Sequence, residues 1–229
     1  MLKDIFGEGN EELIKIALTH PSYTKENNLS DLGNYERLEF FGDSVLKLFT
    51  SKLLYELYPN SAEGELSKIR SILVSDAILA QVAIKIGLDK LIILGASEEK
   101  QGGRKRESNI ACSLEAVLGA YYFSNRQKEI EKFIKEYVMV YAEDVDKHFE
   151  KYNAKDILQQ YTQGYNKTRP EYVVKAVKGP AHKPVFEVDV MWENEVLASA
   201  EGGSKKEAEQ NGALEACKKL NIIEKNQNN

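Results

Sequence analysis

Three carboxylates at helical spacing are the first residues whose types could do chemistry. Glu36, Glu39 and Asp43 recur within Glu36-Arg37-Leu38-Glu39-Phe40-Phe41-Gly42-Asp43. At 100° per residue they fall within about 60° of one another on a helix. Leu38, Phe41, Val45 and Leu48 share the opposite face. Like charges at i,i+3 and i,i+4 repel, so two readings compete. Either a divalent cation compensates them, Mg²⁺ or Mn²⁺ by the hardness of the oxygen donors, or they form a solvated acidic face. Phe40 lies at the edge of that face, where an exposed aromatic calls for a partner to cover it. Gly42 sits mid-helix at a cost of roughly 1 kcal/mol against Ala, which a closely packed neighbour would justify.

A fourth carboxylate, Glu115, stands on an otherwise apolar helix with Ile110, Ala111, Leu114, Ala116, Val117 and Leu118. Burial there requires a partner; the plainer alternative is an edge residue pairing with Arg or Lys. Nucleophilic catalysis is disfavoured. His20, His148 and His182 are scattered, and Cys112 has no general base near it in sequence. Gln101-Gly102-Gly103-Arg104-Lys105-Arg106 follows no strand and fits no phosphate-loop spacing. It reads as a mobile loop, with contact to a phosphate backbone the functional alternative.

The elements that must carry these groups fall into two parts. Residues 1–150 read as helix almost throughout, with Pro21 and Pro59 at breaks between helices. Helical stretches are expected over Leu32–Tyr58, Ser67–Gly87, Ile110–Phe123 and Ile130–Phe149, besides an apolar stripe at Leu13, Ile16 and Ala17. After about Tyr152 the pattern changes. Ala154–Gln163 predicts a short helix, then Tyr172–Val177, Val185–Met191 and Glu195–Ala200 predict three strands with Asn194 in a turn. Ser204 with Glu207 fits a capping box opening a last helix that runs to about Leu220. The expected fold is therefore an all-α domain over residues 1–150, an α+β domain of order α-β-β-β-α over 153–223, and a tail, 224–229. Cys217, with Ala213, Ala216 and Leu220, reads as core.

Composition narrows the class. The chain has 229 residues, 42% hydrophobic and 29% charged, the balance of a globular protein. Its apolar runs are far too short to span a bilayer. The start, Met1-Leu2-Lys3-Asp4, has no apolar signal-peptide core. Two distant cysteines, Cys112 and Cys217, read as free thiols of a cytoplasmic protein and exclude a disulfide scaffold. The net charge is −5, all of it from residues 1–152, with 20 Lys+Arg against 25 Asp+Glu; residues 153–229 hold 11 of each. A neutral domain still binds a phosphate backbone when its lysines gather on one face.

The run Tyr35-Glu36-Arg37-Leu38-Glu39-Phe40-Phe41-Gly42-Asp43-Ser44-Val45-Leu46 resembles the signature of the bacterial ribonuclease III family. The resemblance extends to Ala17-Leu18-Thr19-His20-Pro21-Ser22-Tyr23, to Glu63-Gly64-Glu65-Leu66-Ser67-Lys68-Ile69-Arg70 with Leu73-Val74-Ser75, and to Leu114-Glu115-Ala116-Val117-Leu118-Gly119-Ala120. Residues 153–223 resemble the double-stranded-RNA-binding domain that follows in that family. The resemblance implies a ribonuclease III-type endonuclease domain, a homodimer with one metal site per subunit, and no membrane. It implies Mg²⁺-dependent cleavage of double-stranded RNA to 5′-phosphate and 3′-hydroxyl ends, with Mn²⁺ as a possible substitute, in rRNA and mRNA processing.

Carried over residue by residue, Glu39, Asp43 and Glu115 match three of the family's four metal-site acids, with Asp43 and Glu115 the catalytic pair. Glu36 and Glu63 match auxiliary acids of the cleavage region. Phe40 matches the aromatic that plugs a socket on the other subunit. One position departs: the fourth metal-site acid, an Asp, is Cys112 here. A thiol is a poor Mg²⁺ ligand, so the alternative function is a catalytically weakened or inactive double-stranded-RNA-binding protein. A structural dimer with incidental acids is the third reading.

Recognition of an A-form duplex is mostly of shape, through 2′-hydroxyls and phosphates. Three spots in the second domain suit it and resemble the family's binding regions. Gln159 and Gln163, i,i+4 on the first helix, can pair with 2′-hydroxyls and base edges. His182, in the loop Lys178–Lys183, could enter a second minor groove. Ser204, Lys205 and Lys206 stand at a helix N-terminus, which favours phosphate; for the lysine pair alone, a solvated helix end is the bland alternative.

Overall fold

The computed structural model describes residues 2–179 and 184–223. His182 and the tail 224–229 lie outside the described residues. The chain forms two compact units, Met1–Asp146 and Lys147–Asn229.

The first unit is helical: α1 Leu2–Phe6, α2 Glu11–Ala17, α3 Pro21–Glu26, α4 Glu36–Leu57, α5 Glu63–Leu73, α6 Asp76–Lys85, α7 Ala96–Lys100, α8 Glu107–Phe123, α9 Gln127–Phe133 and α10 Ala142–Lys147. Helices α4 and α8 form its centre. They cross at two glycines: a Cβ on Gly42 would collide with the Glu115 carbonyl oxygen, and one on Gly119 would come within 2.5 Å of the Leu38 carbonyl oxygen. The mid-helix glycine thus has its close neighbour, and backbone meets backbone where a side chain would separate the helices. Fully buried Leu46, Leu54, Leu114 and Leu118 fill the core around the crossing. Phe6 stacks on Tyr121 at 4.7 Å and leans on Phe133 at 4.9 Å.

Several expected boundaries move. The stretch predicted from Leu32 begins with a 3₁₀ turn, Asp31–Gly33, and α4 starts at Glu36, where the buried Asn34 side chain accepts the Glu36 N–H at 3.0 Å. Ser67–Gly87 is two helices, broken where Ser75 turns extended. No Gly or Pro marks that break; Val74 and Ser75, weak helix formers, stand there with acidic Asp76 at the next helix's positive end. The path expected over Ile130–Phe149 changes winding, to π over Ile134–Val138 and 3₁₀ over Met139–Tyr141. Leu48, assigned to the core stripe, is exposed.

The second unit comprises α11 Phe149–Asn166, strands β1 Glu171–Lys178, β2 Val185–Trp192 and β3 Glu195–Gly202, and α12 Lys205–Lys219. The first helix is longer than predicted at both ends. Gly164 lies inside it, and Lys167, at φ 62°, makes the left-handed stop. The antiparallel sheet has order β1-β2-β3, with Val188 opposite both Val174 and Ala200. Glu193 and Asn194, at φ 52° and 65°, form the two-residue turn that matches strand twist. The helices bury Ala154, Leu158, Ala213, Ala216 and Cys217 against Val190, with Leu220 partly buried beside them. The Ser204 hydroxyl accepts the Glu207 N–H at 3.1 Å, but the Glu207 carboxylate takes the Gly203 N–H at 2.8 Å instead of returning to Ser204. The box is therefore half made, displaced by one residue. Among the described residues no helix is long and apolar enough to cross a membrane.

Candidate active site

The α4–α8 crossing sets the acids opposite one another. Glu36, Glu39, Phe40, Asp43 and Ser44 from α4 and Glu115 from α8 line one open cavity of about 390 Å³. Cys112 lies one turn before Glu115 on α8. Donor atoms of Glu39, Cys112 and Glu115 all stand within 4.8 Å of one another. The Gly42 contact explains this proximity, because it brings α4 directly against the backbone of Glu115. Asp43 shares the cavity, but its carboxylate accepts from Lys47 Nζ at 2.7 Å. Glu63 stands in the exposed first turn of α5, where its carboxylate accepts from the Ser67 hydroxyl at 2.7 Å; it is absent from the cavity lining. Phe40 is 80% exposed.

The site is electrostatically strained. Burial first, then the charges of Asp43, Glu39 and Asp76, push the Glu115 carboxyl up to about 8 against the opposing pull of Lys47. Burial also raises the Glu39 carboxyl from its ordinary value; the Cys112 thiol pulls it back, while Glu36, Asp43 and Asp76 add to the rise. The Cys112 thiol is held protonated by burial and by Glu39 and Glu115. Such clustering of unfavourable negative charge suits a cation. Two contributors went unnoticed in the sequence. Lys47 is legible as the i+4 partner of Asp43, whereas Asp76 reaches the site from α6 and no local spacing announces it.

Neighbouring residues hold the frame. Tyr35 is buried, its N–H bonded to the Thr19 carbonyl at 2.9 Å and its ring edge-on to His20 at 5.5 Å. His20 Nδ1 accepts the Ser22 N–H at 3.0 Å, and burial lowers the imidazole's affinity for a proton. The segment expected as a mobile loop is pinned. Arg104 binds Glu99 and the carbonyls of Asp89 and Ile92, and Arg106 pairs with Glu98. Those two arginines are thereby engaged within the protein.

In the second unit Gln159 and Gln163 lie on one partly exposed face of α11. At the start of α12 the Ser204 hydroxyl is committed to capping, and Lys205 stands 60% exposed at 3.8 Å from Glu209. Lys206 is exposed beside it.

Residues 10–141 match the family model described as Ribonuclease-III-like, and residues 154–220 match the double-stranded RNA binding motif. The chain belongs to the ribonuclease III family. Ribonuclease 3 of Syntrophomonas wolfei is 42% identical over 205 residues, covering 89% of this chain and 86% of that protein. Ribonuclease 3 of Streptococcus mutans is 40% identical over 212 residues, covering 92% and 91%. Among solved structures, the nuclease domain of ribonuclease III from Campylobacter jejuni, described as flexible in a region involved in dimer formation, superposes with TM-score 0.54 at 30% identity. It covers 60% of this chain and 93% of that one. The ribonuclease III assignment makes this chain an endoribonuclease whose helical nuclease domain precedes an α-β-β-β-α RNA-binding domain.

Proposed function

We propose that the chain is a metal-dependent endonuclease that cuts double-stranded RNA to 5′-phosphate and 3′-hydroxyl ends, working as a cytoplasmic homodimer in rRNA and mRNA processing. The observation that carries the metal dependence is the convergence of Glu39, Cys112 and Glu115 beside Asp43. Two carboxylates across a helix crossing suit a divalent cation. Mg²⁺ is the ion the resemblance implies, and Mn²⁺ its possible substitute. The thiol of Cys112 is the one donor that does not suit Mg²⁺. A bound divalent cation would lower the pKa of a water and neutralise charge on the leaving 3′ oxygen.

The protein's own groups do the rest. Glu39 and Glu115 would offer the ligand oxygens, Glu115 as its carboxylate. Asp43 waits on the rim with Lys47 and adds a further carboxylate to the cavity. Phe40, 80% exposed, fits a contact with the second subunit. The second unit holds the duplex by Gln159 and Gln163 and by phosphate contacts from Lys205 and Lys206 at a helix N-terminus. Its affinity is thereby separated from the chemistry.

Cys112 favours a second reading, an RNA-binding chain whose cleavage is weakened. Incubation with long duplex RNA in Mg²⁺ and then Mn²⁺ decides between the two. Specific cuts support the endonuclease. Tight binding without cuts in either ion supports the second reading, and no affinity for the duplex removes both.

A further inference from the structure

Resting on the metal-centre reading above, we propose that the Glu39–Cys112–Glu115 site selects a thiophilic divalent cation of the Zn²⁺ or Co²⁺ class over Mg²⁺, with Cys112 Sγ as a direct ligand. The geometry fits such an ion. Donors at about 2.0–2.3 Å around a tetrahedral zinc stand roughly 3.3–3.7 Å apart. The three donors here already lie within 4.8 Å of one another, little more than that spacing.

The pattern is also that of an open site. Three donors converge, and two of them, Glu39 and Glu115, also line a cavity of about 390 Å³ that leaves room for a further ligand. Three ligands plus a vacant position is the arrangement of catalytic zinc. Two ligands come from α8 at i and i+3, so one helix face presents both. The third comes from α4, fixed against α8 by the Gly42 and Gly119 contacts.

The two cysteines of this chain differ in their surroundings. Cys217 is fully buried among Ala154, Leu158 and Ala213, and its thiol donates to the Ala154 carbonyl at 3.6 Å. That is the setting of a small core residue. Cys112 is only partly buried, and its Sγ lies within 4.8 Å of carboxylate oxygens of Glu39 and Glu115. A sulfur there stands beside two carboxylates. Thiolate is soft and selects Zn²⁺ over the hard, reluctantly dehydrated Mg²⁺. On binding, the Cys112 proton leaves to solvent and the S–metal bond forms, with no change of oxidation state.

Titration of the metal-free full chain with Co²⁺ tests the inference by spectroscopy, without reference to cleavage. The wild type is expected to develop the near-ultraviolet thiolate-to-cobalt charge-transfer band. Equimolar Zn²⁺ should abolish it. Cys112→Asp and Cys112→Ser should lack the band, and displacement of Co²⁺ from Cys112→Asp, followed by equilibrium dialysis, should need at least about tenfold less Mg²⁺ than from the wild type. Co²⁺ bound without the band, a band that persists in Cys112→Ser, or equal displacement by Mg²⁺ in wild type and Cys112→Asp would overturn the proposal while leaving the metal centre standing. Dialysis showing neither Co²⁺ nor Mg²⁺ bound to any of the three proteins would overturn the metal centre itself. Cys112→Ser keeps the size of the side chain, so it serves if Cys112→Asp does not fold.

Discussion

Replacing Glu115 by Gln should stabilise the metal-free protein, and by an amount that depends on pH. In the unfolded chain this carboxyl ionises near 4.5; in the fold it keeps its proton up to about 8. Between those values the folded state binds more protons, so stability falls as pH rises and the loss is complete above about 8. The interval corresponds to about 5 kcal/mol at roughly 1.4 kcal/mol per pH unit. Solvent reaches this partly covered carboxyl and brings the figure down to about 2–3 kcal/mol. Gln matches the protonated form in shape and cannot ionise, so it escapes the whole loss. Urea unfolding of both proteins in EDTA should show near-equal stability at about pH 5 and a variant more stable by about 2–3 kcal/mol at about pH 8.5. Adding the divalent cation should then favour the wild type, by about 2.7 kcal/mol at a hundred times its dissociation constant. A stability difference that is the same at both pH values would refute the argument, since it would mean that Glu115 ionises alike in the folded and unfolded chains.

Three further outcomes are expected. Gly42→Ala should destabilise the first unit by about 1–3 kcal/mol or more, because its Cβ meets the Glu115 carbonyl backbone and not a yielding side chain; an unchanged melting temperature would contradict the close crossing. Phe40→Ala should weaken self-association by roughly 1.5–3 kcal/mol, the worth of burying a Phe side chain, as read by analytical ultracentrifugation; an unaltered dimer constant would remove Phe40 from the interface. Lys205→Ala with Lys206→Ala should weaken binding to all duplex sequences and flatten its salt dependence; a wild-type salt slope would show that these lysines touch no phosphate.

What the sequence disclosed follows the range of the physics involved. The acidic stripe was legible because helical period alone places Glu36, Glu39 and Asp43 together, and all three line one cavity. Gly42 was legible because its propensity cost demands a reason, and the Glu115 backbone supplies it. Strand pairs and their turn were legible from alternation and from Asn194. The break at Ser75 was not, since it lacks Gly or Pro and depends on how α5 and α6 pack. The exposure of Leu48 was missed for a related reason: its angle on the helix suits the core, but among the described residues that end of the stripe is left uncovered. The left-handed stop at Lys167 hid behind Gly164, the residue better suited to it. Asp76 could not be foreseen at all, because its effect on Glu39 and Glu115 acts through space from another helix.

The same crossing that makes the site also forces its cost. Glu39 and Glu115 repel, Glu115 holds its proton, and the Cys112 thiol stands beside both carboxylates. Relaxation would require α4 and α8 to part, but the glycine contacts and the leucines packed around them resist that separation. The crossing therefore holds this unfavourable arrangement in place. In the RNA-binding unit Lys205 and Lys206 are exposed at the start of α12, where a helix end favours added negative charge. The clustered negative charge therefore lies at the α4–α8 crossing of the first unit, the one that matches the nuclease model.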